Sequence, residues 1–185
     1  MLFCIENQLN WLYIDVNSYF ATIEQQVNPD LRNKPVAIVP LLSDSTCAIA
    51  VSYEAKLKGI NTGTKIYEAK KLCPELICIQ ARHELYIQYH HKIFNEIDRY
   101  LHVDHIFSID EGACRLTGKY CLLEEALIVA RIIKKAIKNN IGDYIGPVLR
   151  MRAFGTLGLK IVSIWSTEKH NVDTLYIFDR RNQLQ

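Results

Sequence analysis

The sequence predicts an α+β fold, with helices on one face of a mainly antiparallel sheet and a small α/β subdomain inserted into it. Three observations lead there. Residues 83–101 and 122–138 repeat apolar side chains at helical spacing. About four short apolar runs outside them read as strands, and two of these runs end on acids. Between the first strand and the first long helix, residues 18–82 hold only short strands and short helices, broken by Asn28-Pro29-Asp30, Gly59, Gly63 and Pro74.

Taken in order, residues 11–16 (Trp-Leu-Tyr-Ile-Asp-Val) read as a buried strand. Asn17-Ser18 is placed to cap a helix over 19–26, which Asn28-Pro29-Asp30 stops. Residues 36–39 and 47–51 read as strands with a loop over 41–46. Residues 53–59 read as a short helix closed by Gly59. A turn at 61–64 leads to a helix over 66–72, and residues 76–79 form a further strand. Tyr86, Tyr89, Ile93, Ile97 and Tyr100 mark the first long helix. In the second, Lys134, Lys135 and Lys138 lie near the C-terminus, where cations suit the helix dipole. Beyond Gly146-Pro147, residues 148–154 alternate as a strand, 158–165 read as a helix and 175–178 as a last strand.

The chain of 185 residues suits one domain, or one with a small insertion. Hydrophobic residues make up 49% and charged residues 23%, enough for a real core and against disorder. A net charge of +2 excludes a strongly basic binder, so any DNA contact must come from local clusters. Cys4, Cys47, Cys73, Cys78, Cys114 and Cys121 form no CxxC pair and no zinc spacing. They are expected to be free, mostly buried thiols of a cytoplasmic protein. No apolar stretch is long enough to span a membrane, and no signal-peptide pattern opens the chain.

The chemistry concentrates at Ser108-Ile109-Asp110-Glu111-Gly112, where two short runs meet at an acidic turn. Gly112 is expected to relax the backbone there. Adjacent carboxylates repel unless a cation or a proton sits between them. The dipeptide alone favours a solvated hairpin tip over a metal site, because acidic residues are common in turns. Asp15 changes the reading, because an acid ending an apolar strand is costly unless paired or metal-bound. Asp15 is thus a second acidic strand end, which raises the standing of a divalent-metal reading against the hairpin tip.

Several stretches, in order, resemble one family, the Y-family translesion DNA polymerases. Asp15-Val16-Asn17-Ser18-Tyr19-Phe20 is similar to its first motif, and Asn28-Pro29-Asp30-Leu31 with Lys34-Pro35-Val36 follows at the family's interval. Tyr53-Glu54-Ala55-Lys56 with Gly59-Ile60 resembles its finger motif. Ser108-Ile109-Asp110-Glu111 with Leu116-Thr117-Gly118 resembles its catalytic motif. Asp-Val-Asn, Glu-Ala-Lys and His83-Glu84-Leu85-Tyr86 lean toward the UmuC branch, the catalytic subunit of SOS polymerase V.

The resemblance implies a polymerase palm over residues 1–17 and 86–185 and fingers over 18–85, without the thumb and the C-terminal DNA-gripping domain. It implies two Mg2+ ions held by Asp15, Asp110, Glu111 and the Val16 carbonyl. Magnesium takes hard oxygen ligands, and two such ions clamp attacking and leaving oxygens. It makes Phe20 the steric gate against a ribose 2′-OH, and Tyr19, Tyr53, Lys56 and Lys160 nucleotide-binding residues. Without the motif, Phe20 reads as a core aromatic, and Tyr53 and Lys56 as a solvated helix face. The implied partners are primer–template DNA and deoxynucleoside triphosphates. SOS accessory proteins and a sliding clamp would act through regions beyond this chain.

The sequence also departs from the family. Arg150 and Arg152 stand in a strand usually rich in small residues, and Gly155-Thr156 replaces Asn-Lys. Arg115 stands where Asp is common. Thr167 occupies the spacing of a later lysine, with Lys169 two residues on. Two function classes follow: a DNA polymerase, or a catalytically weakened polymerase-like accessory protein working through repair partners. A metal-dependent phosphate-ester hydrolase is a third, but no residue is placed as base for a water.

Overall fold

The structure is a computed structural model that describes residues 9–155, 158–166 and 173–179, with side chains described for residues 9–151. It divides into two compact units, Met1–Asn17 with His90–Gln185, and Ser18–Tyr89.

The first unit is built on a six-stranded sheet. Its strands are β1 (Trp11–Val16), β5 (Val103–Ile106), β6 (Glu111–Arg115), β7 (Pro147–Gly155), β8 (Gly158–Ser166) and β9 (Asp173–Asp179). The order across the sheet is β5-β6-β1-β7-β8-β9, and every neighbouring pair is antiparallel. β1 alternates as its sequence requires: Leu12, Ile14 and Val16 are buried, while Trp11, Tyr13 and Asp15 are half-exposed on the other face. Cross-strand partners share a face, so Cys114 opposite Leu12 and Gly112 opposite Ile14 belong to the buried side.

Two long helices serve that side: α4 (His83–Asp98), which begins in the second unit, and α5 (Leu123–Asn140). Ile93, Phe94 and Ile97 of α4 are buried, as are Ala126, Val129, Ala130, Ile133 and Ile137 of α5. The Asn140 amide donates to the Glu96 carboxylate at 2.8 Å and ties the two helices together.

The second unit carries the sheet β3-β2-β4, from β2 (Val36–Val39), β3 (Ala50–Val51) and β4 (Ile77–Gln80). β2 pairs antiparallel with β3 and parallel with β4. Around it lie α1 (Tyr19–Val27), a 3-10 turn at Pro29–Leu31, α2 (Tyr53–Leu57) and α3 (Ile66–Leu72). Its core gathers Ala37, Val39, Val51, Ala55, Ile60, Ile66 and Ala69.

Four local expectations are corrected. Residues 158–166 form a strand and not a helix: they pair with β7 from Leu149↔Ile164 to Gly155↔Gly158, and the β-branched Ile161, Val162 and Ile164 suit that state. Only Ala50–Val51 of the predicted 47–51 strand is a strand, because Cys47 bridges Lys65 and Ala48 bonds Thr64 and Gly63 instead. Ser18 occupies the N-cap position of α1 in a left-handed conformation (φ 52°), without a side-chain capping bond. Gly112 has no positive φ and lies inside β6, so turn geometry does not require it.

The cysteines described, Cys47, Cys73, Cys78, Cys114 and Cys121, are free; Cys73 and Cys114 are buried and the others half-buried. Cys4 lies outside the described residues. No helix among the described residues is long and apolar enough to cross a membrane.

Candidate active site

Asp15 is the penultimate residue of β1, on its half-exposed face, and its cross-strand partner on β6 is Glu111. Asp110 stands one residue before β6, and its carbonyl accepts from the Val16 N–H at 3.0 Å. The ends of β1 and β6 thus bring the three acids to one corner of the sheet. The hairpin before them is pinned three ways. Phe107 N–H donates to the Glu111 carbonyl at 2.9 Å. The Ser108 hydroxyl donates to Asp110 Oδ1 at 2.7 Å. His90 Nδ1, on α4, meets the Ile109 carbonyl at 2.8 Å, so this nitrogen carries the proton.

The carboxylates are not drawn into one cluster: among the described residues, no three His, Cys, Asp or Glu groups stand in a metal-holding array. The cation beside Asp15 is a guanidinium. Arg150 on β7 is the register partner of Tyr13, and its Nη2 lies 3.5 Å from Asp15 Oδ2. The same face carries rings: Tyr13 stacks with Phe107 at 6.3 Å, and Trp11 lies 5.5 Å from His105.

In the second unit, the Phe20 ring is half-buried and stacks on Tyr86 at 4.4 Å with 18° between planes. Tyr86 is fixed from beneath: its hydroxyl donates to Glu24 Oε1 at 2.9 Å, and Arg82 clamps the same carboxylate, which is 2% exposed. Burial, above all, raises the Tyr86 pKa well beyond that of a free phenol. Tyr19 is buried and gives its hydroxyl to the Tyr86 carbonyl at 2.7 Å. Its side chain is therefore spent on packing, which leaves only its backbone for a nucleotide. Tyr53 and Lys56 are exposed three residues apart on α2, and so share a face. Ser52 caps that helix by accepting from the Ala55 N–H at 3.3 Å. Lys160 lies on β8, with its side chain outside the description, as is that of Arg152 on β7. Thr156, Thr167 and Lys169 lie outside the described residues.

Residues 14–145, well over half the chain, match the IMS family, described as impB/mucB/samB. The chain belongs to the impB/mucB/samB family. A family relative named DNA polymerase IV from Moorella thermoacetica is 35% identical over 140 residues, spanning 75% of this chain and 35% of that protein. Another DNA polymerase IV, from Pelotomaculum thermopropionicum, is 34% identical over 133 residues, 71% of this chain and 33% of that one. The chain thus spans about a third of the length of the curated relatives it matches. Among solved structures, DinB from Sulfolobus solfataricus superposes with a TM-score of 0.71 at 24% identity, covering 80% of this chain and 43% of that one. An insertion ternary complex of Dbh DNA polymerase gives 0.70 at 24% identity, with the same coverage. The fold of this impB/mucB/samB chain is that of the palm and fingers of Y-family DNA polymerases.

Three side chains described above carry no signal in the sequence. His90 is not one of the apolar residues that mark its helix, and nothing local says that it meets the Ile109 carbonyl. Ser108 stands out only as part of a motif. Glu24, in a short polar stretch of α1, gave no signal of burial. A cation–acid pairing could have been sought for Arg150, which shares the alternating phase of its strand with Arg152.

Proposed function

We propose that this chain supplies the palm (1–17 and 86–185) and fingers (18–85) of a DNA polymerase performing template-directed nucleotidyl transfer past damaged bases. The observation that carries the reading is the cross-strand pairing of Asp15 with Glu111, with Asp110 bonded through its carbonyl to Val16. Like charges directly opposite across an antiparallel pair are unfavourable without a cation. Three carboxylates gather at this corner with the guanidinium of Arg150 beside Asp15, and a donor set of hard oxygens suits Mg2+. Asp15, Asp110, Glu111 and the Val16 carbonyl would hold two Mg2+ ions. Bound there, they would supply Lewis-acid stabilisation of the triphosphate and of the attacking 3′-oxygen.

The chain's own residues supply the rest. Phe20, backed by Tyr86, is the steric gate. Tyr53 and Lys56 meet the triphosphate, joined by the Tyr19 backbone and by Lys160. Lys56 acts as a point charge without the fork of an arginine. Arg115 and Arg150, with the rings of Trp11 and Tyr13 on the same sheet and Phe107 stacked beside Tyr13, offer phosphate and base contacts to primer–template DNA. Deoxynucleoside triphosphates are the co-substrate and the cytoplasm is the compartment. The UmuC-like placement rests on Asp-Val-Asn, Glu-Ala-Lys and His83-Glu84-Leu85-Tyr86. With it come an SOS role, accessory proteins and a sliding clamp that act through other regions.

A second reading, a catalytically weakened accessory protein, is favoured by one observation: an arginine stands at Asp15, and the described residues form no closed carboxylate cluster there. Primer extension separates the two. The chain, joined to the thumb and DNA-gripping domain of an active relative, should extend a primer with Mg2+. Asp110→Asn or Glu111→Gln should lower the rate by about 10²–10³. Unchanged rates in both variants would refute the polymerase centre. An inactive fusion, beside an active one carrying the relative's own palm and fingers, would favour the accessory protein.

A further inference from the structure

Arg150 stands where a divalent ion would need its first ligand. β1 and β7 place Tyr13 opposite Arg150, so Asp15 is the next residue on the same face, within diagonal reach of a long side chain. The guanidinium Nη2 lies 3.5 Å from Asp15 Oδ2, with the Arg150 side chain 39% exposed and that of Asp15 29%. A guanidinium keeps its charge at every working pH. A metal ion held by Asp15 and this guanidinium would carry like charges side by side on one carboxylate, and they repel each other.

We propose that Arg150 is a resident counter-charge that competes with the divalent ion for Asp15. Metal loading must work against its positive charge, which holds the chain's metal affinity low. Arg150 is thus a positioning residue: it fixes Asp15 in the metal-free chain and sets the threshold at which the ion enters. This rests on the reading of Asp15, Asp110 and Glu111 as metal ligands. Half-exposed pairs are weak, so the expected effect is modest, about two- to fivefold in affinity.

The test is Mn2+ binding to the whole 185-residue chain, read by electron paramagnetic resonance, with Mg2+ added as competitor. Arg150→Gln and Arg150→Val, the second suited to a strand, should each bind about two- to fivefold more tightly than the wild type. Arg150→Lys, which keeps the charge, should stay closer to the wild type than either. Arg115→Gln removes an exposed charge four register positions from Asp15, opposite Trp11, and should change affinity less. Asp15→Asn should lose the binding. If the wild type binds Mn2+ and neither neutral variant tightens it, the competition is refuted while the metal site stands. Equal tightening by Arg115→Gln would also refute it, by reducing the effect to net charge. If no variant binds, the metal reading falls, and the competition with it.

Discussion

Gly112 is explained by a ring and not by a turn, and replacing it tests that. A Cβ built on Gly112 would lie 2.5 Å from Phe94 Cε1, 3.2 Å from Cζ and 3.0 Å from the His105 carbonyl oxygen. Phe94 is itself buried, so its ring has little room to retreat. Overpacking of this kind costs about 1–3 kcal/mol, and the smaller unfolded-state entropy of alanine offsets about 0.4–1 kcal/mol. Gly112→Ala should therefore destabilise by about 1–2 kcal/mol on the same scale. The assay is urea denaturation of the wild type, Gly112→Ala, Phe94→Leu and the double variant. Leucine lacks the Cε1 and Cζ atoms that crowd the glycine. In the Phe94→Leu background, Gly112→Ala should cost less, with only the His105 carbonyl contact left, giving a coupling of about 1 kcal/mol. An equal cost in both backgrounds would refute the reasoning and return Gly112 to a backbone role. The point reaches the site, because Gly112 follows Glu111 directly and Phe94 lies one helical turn from His90, which pins Ile109.

Two further outcomes are expected. Phe20→Ala, made in the chain joined to a relative's thumb and DNA-gripping domain, should admit ribonucleotides and leave deoxynucleotide incorporation largely intact. Because the ring is half-buried, the stability cost should be about 1–3 kcal/mol, below the 3–5 of a core phenylalanine; unchanged sugar choice with a larger loss would return Phe20 to the core. For alkaline pH, burial pushes the Cys114 thiol from 9.0 up to about 12. A raised pKa gives a contribution that is full below pH 9 and lost as pH rises toward 12, so Cys114→Ala should flatten that limb by up to about 1.4 kcal/mol per pH unit. Parallel stability curves for the two proteins would remove Cys114 from the account.

The sequence was most legible where one face of an element is buried and the other is not. Leu12, Ile14 and Val16 against Trp11, Tyr13 and Asp15 give β1 its period of two, and the apolar stripe of α5 gives the second long helix its period of 3.6. It was least legible in residues 158–166. Leu159, Ile161, Val162, Ile164 and Trp165 fit either period, and pairing with β7, a long-range fact, decides between them. The 47–51 run failed for a related reason: its backbone groups bond to Lys65, Thr64 and Gly63, which local pattern does not report. At the site, the acids were visible as costly residues at strand ends. The register that sets Asp15 opposite Glu111 was not visible, nor was the buried Glu24 that holds Tyr86 under Phe20.

The charge pattern of the sheet also explains why an arginine at this corner can be tolerated at all. Asp15 and Glu111 face each other on one register line. Left alone, two like charges in direct cross-strand contact weaken the pairing of β1 with β6. That pairing also carries the Val16 N–H to Asp110 carbonyl bond, so repulsion there would loosen the whole acidic hairpin. Arg150 approaches from β7, on the opposite side of β1, and offsets part of that repulsion without touching β6. A chain that always held its metals would gain nothing from this. A chain that spends time without them gains a stable register and gives up some metal affinity. On the proposed metal reading, Arg150 would steady the Asp15–Glu111 register while the acids are without ions.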